Sequence, residues 1–425
     1  MKHREAPSLA AADEAVVVTL PQTVWSVAGH PHSAGSDLER VTCQSRIMKL
    51  FLITALLLAP LAALPAADAP APMLNLPGTD GDPLKVKFAR LPLLKGTHVV
   101  VCPPEEQWKF QLHNYLLHHG GKFWCMWSAG PKIEDWPTQH VRVATSDDGV
   151  KWSAPKMLTQ APDEGRGFYA RDFWVRDGEL LGLTSSFKGH GGFGQDRDMN
   201  LLAYVWDEPS NTWKEKGTVF KNTINNFAPQ KLSTGEWITT RRDSDFNVSM
   251  LIGGTKSLSD WRVVPVVYKQ AASASNGLSP DEPIFWEQPD GLLVAVFRDN
   301  GTSDRLFRAF SHDHGQTWSA PVKTVYPNAK SKIFSLLTSR GYRVLISNAN
   351  TTMRRRELYL AISEDGLSFN RMARLDIPTT FNDSLAYPHA IEHDGQLLIA
   401  FSRNKSTTEL FKVSLDELEK LRAAK

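Results

Sequence analysis

The sequence predicts an all-β protein, a six-bladed β-propeller built from four-stranded antiparallel blades. Three observations predict it. A strand–turn–strand frame recurs six times between residues 115 and 413. An aspartate–glycine turn ending in an aromatic residue recurs within that frame. No run of helical period competes with the strands before Leu415–Leu421.

The frame is an apolar strand, a tight turn, a second strand, a polar loop and a third strand. It fits Tyr115–His118, Lys122–Trp127 and Val141–Ala144, then Asp172–Val175, Glu179–Leu183 and Leu201–Trp206. It fits Ala228–Leu232, Glu236–Thr240 and Val248–Ile252, then Pro283–Glu287, Leu292–Phe297 and Arg305–Phe310. Ile333–Leu337, Tyr342–Ile346 and Leu358–Ile362 make a fifth unit, and Pro388–Glu392, Gln396–Phe401 and Glu409–Val413 a sixth. Radial repetition of small sheets leaves only short edges open to water. Residues 74–103 either complete the last blade or stand alone.

The turn is clearest at Ser311-His312-Asp313-His314-Gly315-Gln316-Thr317-Trp318, which reads S-x-D-x-G-x-T-W. Ser146–Trp152 and Ser363–Phe369 are shorter forms, and Asn211–Trp213 and Ser259–Trp261 are degenerate ones. The aspartate accepts bonds from turn amides, the glycine takes a positive φ, and the aromatic ring fills space between sheets. Such turns join third to fourth strands, so they are structural. The opposite face then carries residues that precede first strands and follow second strands.

The ends read differently. Residues 1–47 lack periodicity and form an expected disordered leader or mis-assigned start. Met48, Lys49, the apolar run Leu50–Leu64 and the small residues to Ala67 have the order of a secretory signal, over residues 48–67. The propeller then occupies residues 74–425, and the expected location is secreted or periplasmic. The run is short for a membrane span, which takes roughly 20 apolar residues, so no stable span is expected; a type II anchor is the alternative. Export permits a disulfide between Cys102 and Cys125, and two buried thiols are equally consistent. A formal charge of +2 argues against a nucleic-acid partner. No Cys/His spacing suggests a metal, and no cofactor is expected.

The functional face collects His113 and Asn114; Arg166, Tyr169 and Arg171; Asn225 and Asn226; Asp281 and Glu282; Lys330 and Lys332; and Asp383 and Tyr387. Loops after second strands add Glu134 and Asp135, Lys188 and His190, Arg241 and Arg242, Arg298 and Asp299, Arg354 to Arg356, and Arg403. Several guanidiniums aimed at one hollow suit an anionic ligand. Trp136 is a candidate for stacking on a sugar ring, whereas Trp124 and Trp127 read as packing between blades. The glycine-rich stretch Gly189–Gly194 reads as a rim loop.

With its Asp-box turns and these residues, the chain resembles the sialidase (neuraminidase) superfamily of BNR-repeat proteins over roughly residues 110–413. The resemblance implies a retaining exo-glycosidase acting on an acidic sugar of a glycan or glycoconjugate, with a tyrosine nucleophile. Tyr387 in Ala386-Tyr387-Pro388 matches that nucleophile in place, though proline follows it where the family has serine. Glu282 in Asp281-Glu282-Pro283 matches its carboxylate partner, and Arg298, closing the next second strand, matches an arginine of the carboxylate-binding triad. Arg355, or Arg354 or Arg356 by register, matches another arginine at the start of a third strand. Asp135 is placed like the acid/base aspartate.

One departure stands out. The family's first arginine opens the first blade in Phe-Arg-Ile-Pro, and here the stretch is Phe110-Gln111-Leu112-His113-Asn114-Tyr115. Phe88-Ala89-Arg90-Leu91-Pro92 is loosely similar but lies upstream. Arg166, Arg171 and Arg403 are candidates for the missing charge, and Arg242 is a further binding candidate. Two other readings remain: a non-catalytic glycan-binding propeller, and a polysaccharide lyase using His113, His190, His389 or Tyr169 with an arginine.

Overall fold

A computed structural model describes residues 72–160, 165–190, 198–268 and 279–424. The leader and signal expected before residue 68, and Gly191–Gly194 of the rim loop, lie outside the described residues. The chain forms six sheets arranged as a propeller. Blade 1 contains Phe110–His119, Lys122–Gly130, His140–Ser146 and Lys156–Met157. Blade 2 contains Arg166–Arg176, Glu179–Lys188, Asn200–Asp207 and Thr212–Lys221. Blade 3 contains Gln230–Lys231, Trp237–Arg242, Val248–Gly253 and Trp261–Val267. Blade 4 contains Pro280–Glu287, Leu293–Asp299, Arg305–Ser311 and Val322–Pro327. Blade 5 contains Phe334–Leu337, Arg343–Ser347, Tyr359–Ser363 and Arg371–Leu375.

Blade 6 closes the ring with residues from both ends of the fold. Leu385–His393, Gln396–Arg403 and Thr407–Ser414 supply three strands, and Thr97–Cys102 pairs antiparallel with Thr407–Ser414 as the fourth. Residues 97–102 therefore complete the last blade. Upstream, Leu93–Leu94 adds a parallel strand to the outer edge of blade 5. A terminal helix, Leu415–Ala423, buries Leu415, Leu418 and Leu421; the Ser414 hydroxyl caps it by accepting from the Glu417 amide.

The aspartate turns hold neighbouring blades together. In blade 4, Asp313 Oδ1 accepts from the Thr317 amide at 2.9 Å, and Ser311 Oγ accepts from the Gly315 amide at 2.8 Å. Asp148 and Asp365 repeat the pattern through the amides of Val150 and Lys151, and of Leu367 and Ser368. Gly315 and Gly149 have positive φ, and each also lies against the preceding blade. A Cβ there would sit 2.8 Å from Ile252 in one case and 2.8 Å from Leu398 in the other. Trp318 and Trp152 pack onto the apolar clusters between those same blades. Cys102 and Cys125 are both buried free thiols in the cluster joining blades 6 and 1. Trp124 and Trp127 are buried packing residues.

Candidate active site at the propeller axis

The first strands line the axis, and four of them share one irregularity. In blade 1, Leu112 pairs with Ser128 and Tyr115 with Met126, so one extra residue is inserted. The same bulge lies between Ala170 and Phe173, between Asp281 and Ile284, and between Ala386 and His389. It re-aims one side chain out of the alternating pattern. His113, Asp172, Glu282 and Tyr387 adopt φ of 59°, 87°, 43° and 59° there. Positive φ costs a non-glycine residue of order 1–3 kcal/mol and concentrates at functional sites. Pro283 and Pro388 follow two of these residues, where the ladder is broken and needs no amide donor. The site residues thus lie inside the first strands, not ahead of them as the sequence pattern suggested; the strands begin earlier because the bulge interrupts their alternation.

Contacts within blade 4 and between neighbouring blades link several of these residues around the axis. The Glu282 carboxylate is 2.6 Å from Arg298 Nε, with both side chains buried. Arg298 and neighbouring Arg242 hold the Glu282 carboxyl at about 2 despite a burial effect in the opposite direction. The His113 ring packs edge-on against both Tyr387 and Tyr169, with centroids 5.1 and 5.6 Å away. The Tyr169 hydroxyl donates to Asp135 Oδ1 at 2.6 Å. Burial, then the Glu134 charge, push the Asp135 carboxyl up. Burial also pushes the Tyr387 phenol up; Glu282 and Glu134 add to that, while Arg298 and Arg355 oppose it. Arg171 stacks over the Tyr169 ring at 4.9 Å and is 2% exposed, with Nε and Nη1 unpaired. Arg171, Arg242 and Glu282 border one small cavity. Among the described residues, no cluster of His, Cys, Asp and Glu has a metal-site arrangement.

A family model described as a BNR repeat-like domain matches residues 204–399. The fold is shared with Trypanosoma rangeli sialidase in complex with the inhibitor DANA, at 14% identity and a TM-score of 0.60, over 78% of this chain and 62% of that one. The chain is a sialidase-like BNR-repeat propeller. Leech intramolecular trans-sialidase is similar at 13% identity and a TM-score of 0.58, covering 78% of this chain and 71% of that one. A Dyadobacter fermentans protein of unknown function aligns at 15% identity and a TM-score of 0.59, over 76% of this chain and all of its own. No curated protein matches the chain. This sialidase-like propeller spans about three-fifths of the trypanosomal sialidase's length. At such identities the likeness establishes the fold.

The candidates separate into two groups. Tyr387, Glu282, Arg298, Asp135, Arg171 and Arg242 meet at the axis of the sialidase-like propeller. Arg242 is committed to the Asp281 carboxylate. Arg403 is engaged away from it, held by both oxygens of Glu409 at 2.7 and 3.0 Å and by Asp383 at 2.9 Å. Arg166 pairs with Asp198 on the rim at 3.0 Å. Arg355 lies in the loop before Tyr359–Ser363, not at the start of that strand, and donates to the Lys330 carbonyl. Arg298 Nη1 donates to the same carbonyl at 3.2 Å, and the Arg355 charge acts on the Tyr387 phenol, so of the three register alternatives Arg355, not Arg354 or Arg356, borders the axial group. Of the three candidates for the missing charge, Arg171 alone reaches the buried centre.

Two groups of the polar face have no counterpart among the residues matched to the sialidase family. His113 occupies the blade 1 bulge, with Nε2 3.4 Å from Glu134 and Nδ1 3.0 Å from Ser128 Oγ. Glu134 is also held by Lys405. Beneath lies a polar girdle. Lys332 Nζ donates to Tyr115 Oη at 2.8 Å and to the Asn226 carbonyl at 2.9 Å, under the rings of Phe227 and Tyr387. Asn226 Nδ2 donates to the Pro283 carbonyl at 2.9 Å. His389 accepts at Nδ1 from the Leu116 amide and turns Nε2 toward Asp172, which accepts from the Ala228 amide. All six blades contribute to this floor. Asn226 and Lys332 stand just ahead of first strands, the position that places them on this face in the sequence. His190 packs against Trp136 instead, centroids 4.3 Å apart.

Proposed function

We propose that the protein is a retaining exo-glycosidase that releases a terminal acidic sugar from a glycan. The observation that carries this reading is the gathering of a phenol, a carboxylate and two guanidiniums from blades 6, 4 and 2 into one buried cluster, with a second carboxylate beside it. The substrate carboxylate docks on Arg171, whose Nε and Nη1 have no partner, and on Arg298. A buried guanidinium with two donors left unpartnered favours an anion. As the ligand carboxylate takes over Arg298, Glu282 loses its counter-charge and becomes a stronger base. It then accepts the Tyr387 proton while the phenol oxygen attacks the anomeric carbon. Asp135, with its carboxyl pushed up, donates a proton to the leaving oxygen and afterwards activates the water that releases the sugar. Export through the segment 48–67 belongs to the same proposal and suits glycans outside the cell.

One observation favours a second reading, a glycan-binding propeller without hydrolysis: Glu282 is paired with Arg298, and a carboxylate at about 2 is a poor base for a phenol. A panel of fluorogenic acidic glycosides, including an α-sialoside, separates the two. Hydrolysis lost by about 10³-fold or more in Tyr387→Phe, with the fold unchanged, supports the enzyme. Hydrolysis unaffected by that change removes the mechanism, and glycan retention without turnover establishes the second reading.

A further inference from the structure

Beside the axial group lies an open basin of about 890 Å³ on the blade 5 side, large enough for a further sugar residue. Its wall carries Lys330, Arg354, Arg355 and Arg356. Among the described residues, none of these four cations has an ion-pair partner. Two carboxylates also line it, and Asp383 is neutralised by Arg403 at 2.9 Å, leaving Asp304 against four cations. Arg356 lies over the ring of Phe381, 4.7 Å from its centroid, and that ring is 81% exposed. Arg354 is held at φ 52°, a strained setting that the short turn Thr351–Met353 imposes. Exposed apolar surface stacked with a guanidinium, between unpaired cations, suits a sugar ring bearing an anionic group.

We propose that this basin is a second anionic subsite, which takes the carboxylate of the sugar next to the terminal one, so that the preferred ligand is an oligosaccharide with two adjacent acidic residues. The inference rests on the glycosidase reading for the terminal sugar. Arg355, which donates to the Lys330 carbonyl shared with Arg298, marks the boundary between the two subsites.

The test is equilibrium binding by calorimetry in the Tyr387→Phe background, which keeps ligands intact. The probes are the methyl α-glycoside of N-acetylneuraminic acid and its α2,8-linked dimer. The dimer binds about tenfold more tightly than the monomer, the scale of one added charge-assisted contact, and the advantage shrinks as salt rises. Arg354→Gln/Arg356→Gln abolishes the advantage and leaves monomer affinity unchanged. Equal affinities in the parent, an advantage that survives the double change, or equal weakening of both ligands overturns the inference. Dimer binding that depends on Arg354 and Arg356 without any monomer binding upholds the basin and removes the axial reading. Absence of binding by either ligand removes both.

Discussion

Glu282 and Arg298 form an ion pair of 2.6 Å in which neither side chain is as much as a tenth exposed. The two residues come from adjacent strands of blade 4, and the bulge at Glu282 turns its carboxylate toward the axis where the guanidinium lies. Burying either charge alone is costly, so each group holds the other in its ionised form.

Removing the cation exposes that dependence. Arg298→Met should destabilise the fold by about 3–5 kcal/mol near neutral pH, because Glu282 is left buried without a counter-charge. The sign with pH follows from the Glu282 carboxyl at about 2, below its ordinary 4.5. Its stabilising effect is complete above the unfolded value and is lost as pH falls from 4.5 toward 2. Urea unfolding at pH 7 and pH 3 should show the gap between parent and variant narrowing in acid. A gap that is constant across pH contradicts the assignment.

The aspartate turns predict a contrast between two glycines of equal conformation. Gly315 and Gly341 both have φ 86°, but a Cβ at Gly315 meets Ile252 at 2.8 Å and one at Gly341 meets nothing. Gly341→Ala should cost about 1–2 kcal/mol, the conformational penalty alone. Gly315→Ala should cost about 1–3 kcal/mol more, from overpacking the seam between blades 3 and 4. Equal losses in denaturant unfolding would show that the glycine serves the turn only.

Two histidines make stability sensitive to mild acid. Burial lowers His113 and His140 from 6.5 to about 4, so the folded state keeps both neutral where the unfolded chain takes up protons. Their contribution is whole above 6.5 and declines as pH falls toward 4. The stability of His113→Asn/His140→Asn should therefore change less between pH 7 and pH 5 than that of the parent. An unchanged slope would place the proton uptake elsewhere.

The thiols give a chemical test of the closing seam. Burial, with the Glu105 charge, pushes Cys102 up to about 11, and burial pushes Cys125 up as well. Neither should react with a thiol-specific chromogenic disulfide at pH 8 while the protein is folded, and both should react on unfolding. Rapid reaction of the folded protein opposes that placement. Loss of both thiols after unfolding without reductant would mean a disulfide joins blades 6 and 1.

The sequence carried the propeller because its signals are short-ranged. Alternating strands, tight turns and the S-x-D-x-G-x-T-W pattern each concern residues within a few positions of one another, and their repetition implies radial order. The same frame made Tyr387, Glu282, Asp135 and Arg298 visible as members of one face. It left Arg166, Arg171 and Arg403 equivalent, since all three flank strands on that face.

Tertiary structure decided among them. Arg403 meets Glu409 and Asp383, Arg166 meets Asp198, and only Arg171 is buried at the axis with donors to spare. It also decided that residues 97–102 close the ring and that Lys332 belongs to a floor shared by six blades. What a charge does depends on which opposite charges and dipoles surround it, and here those partners arrive from other blades, far away in sequence. Strand periodicity is local, whereas the field at the axis is a sum over the whole ring.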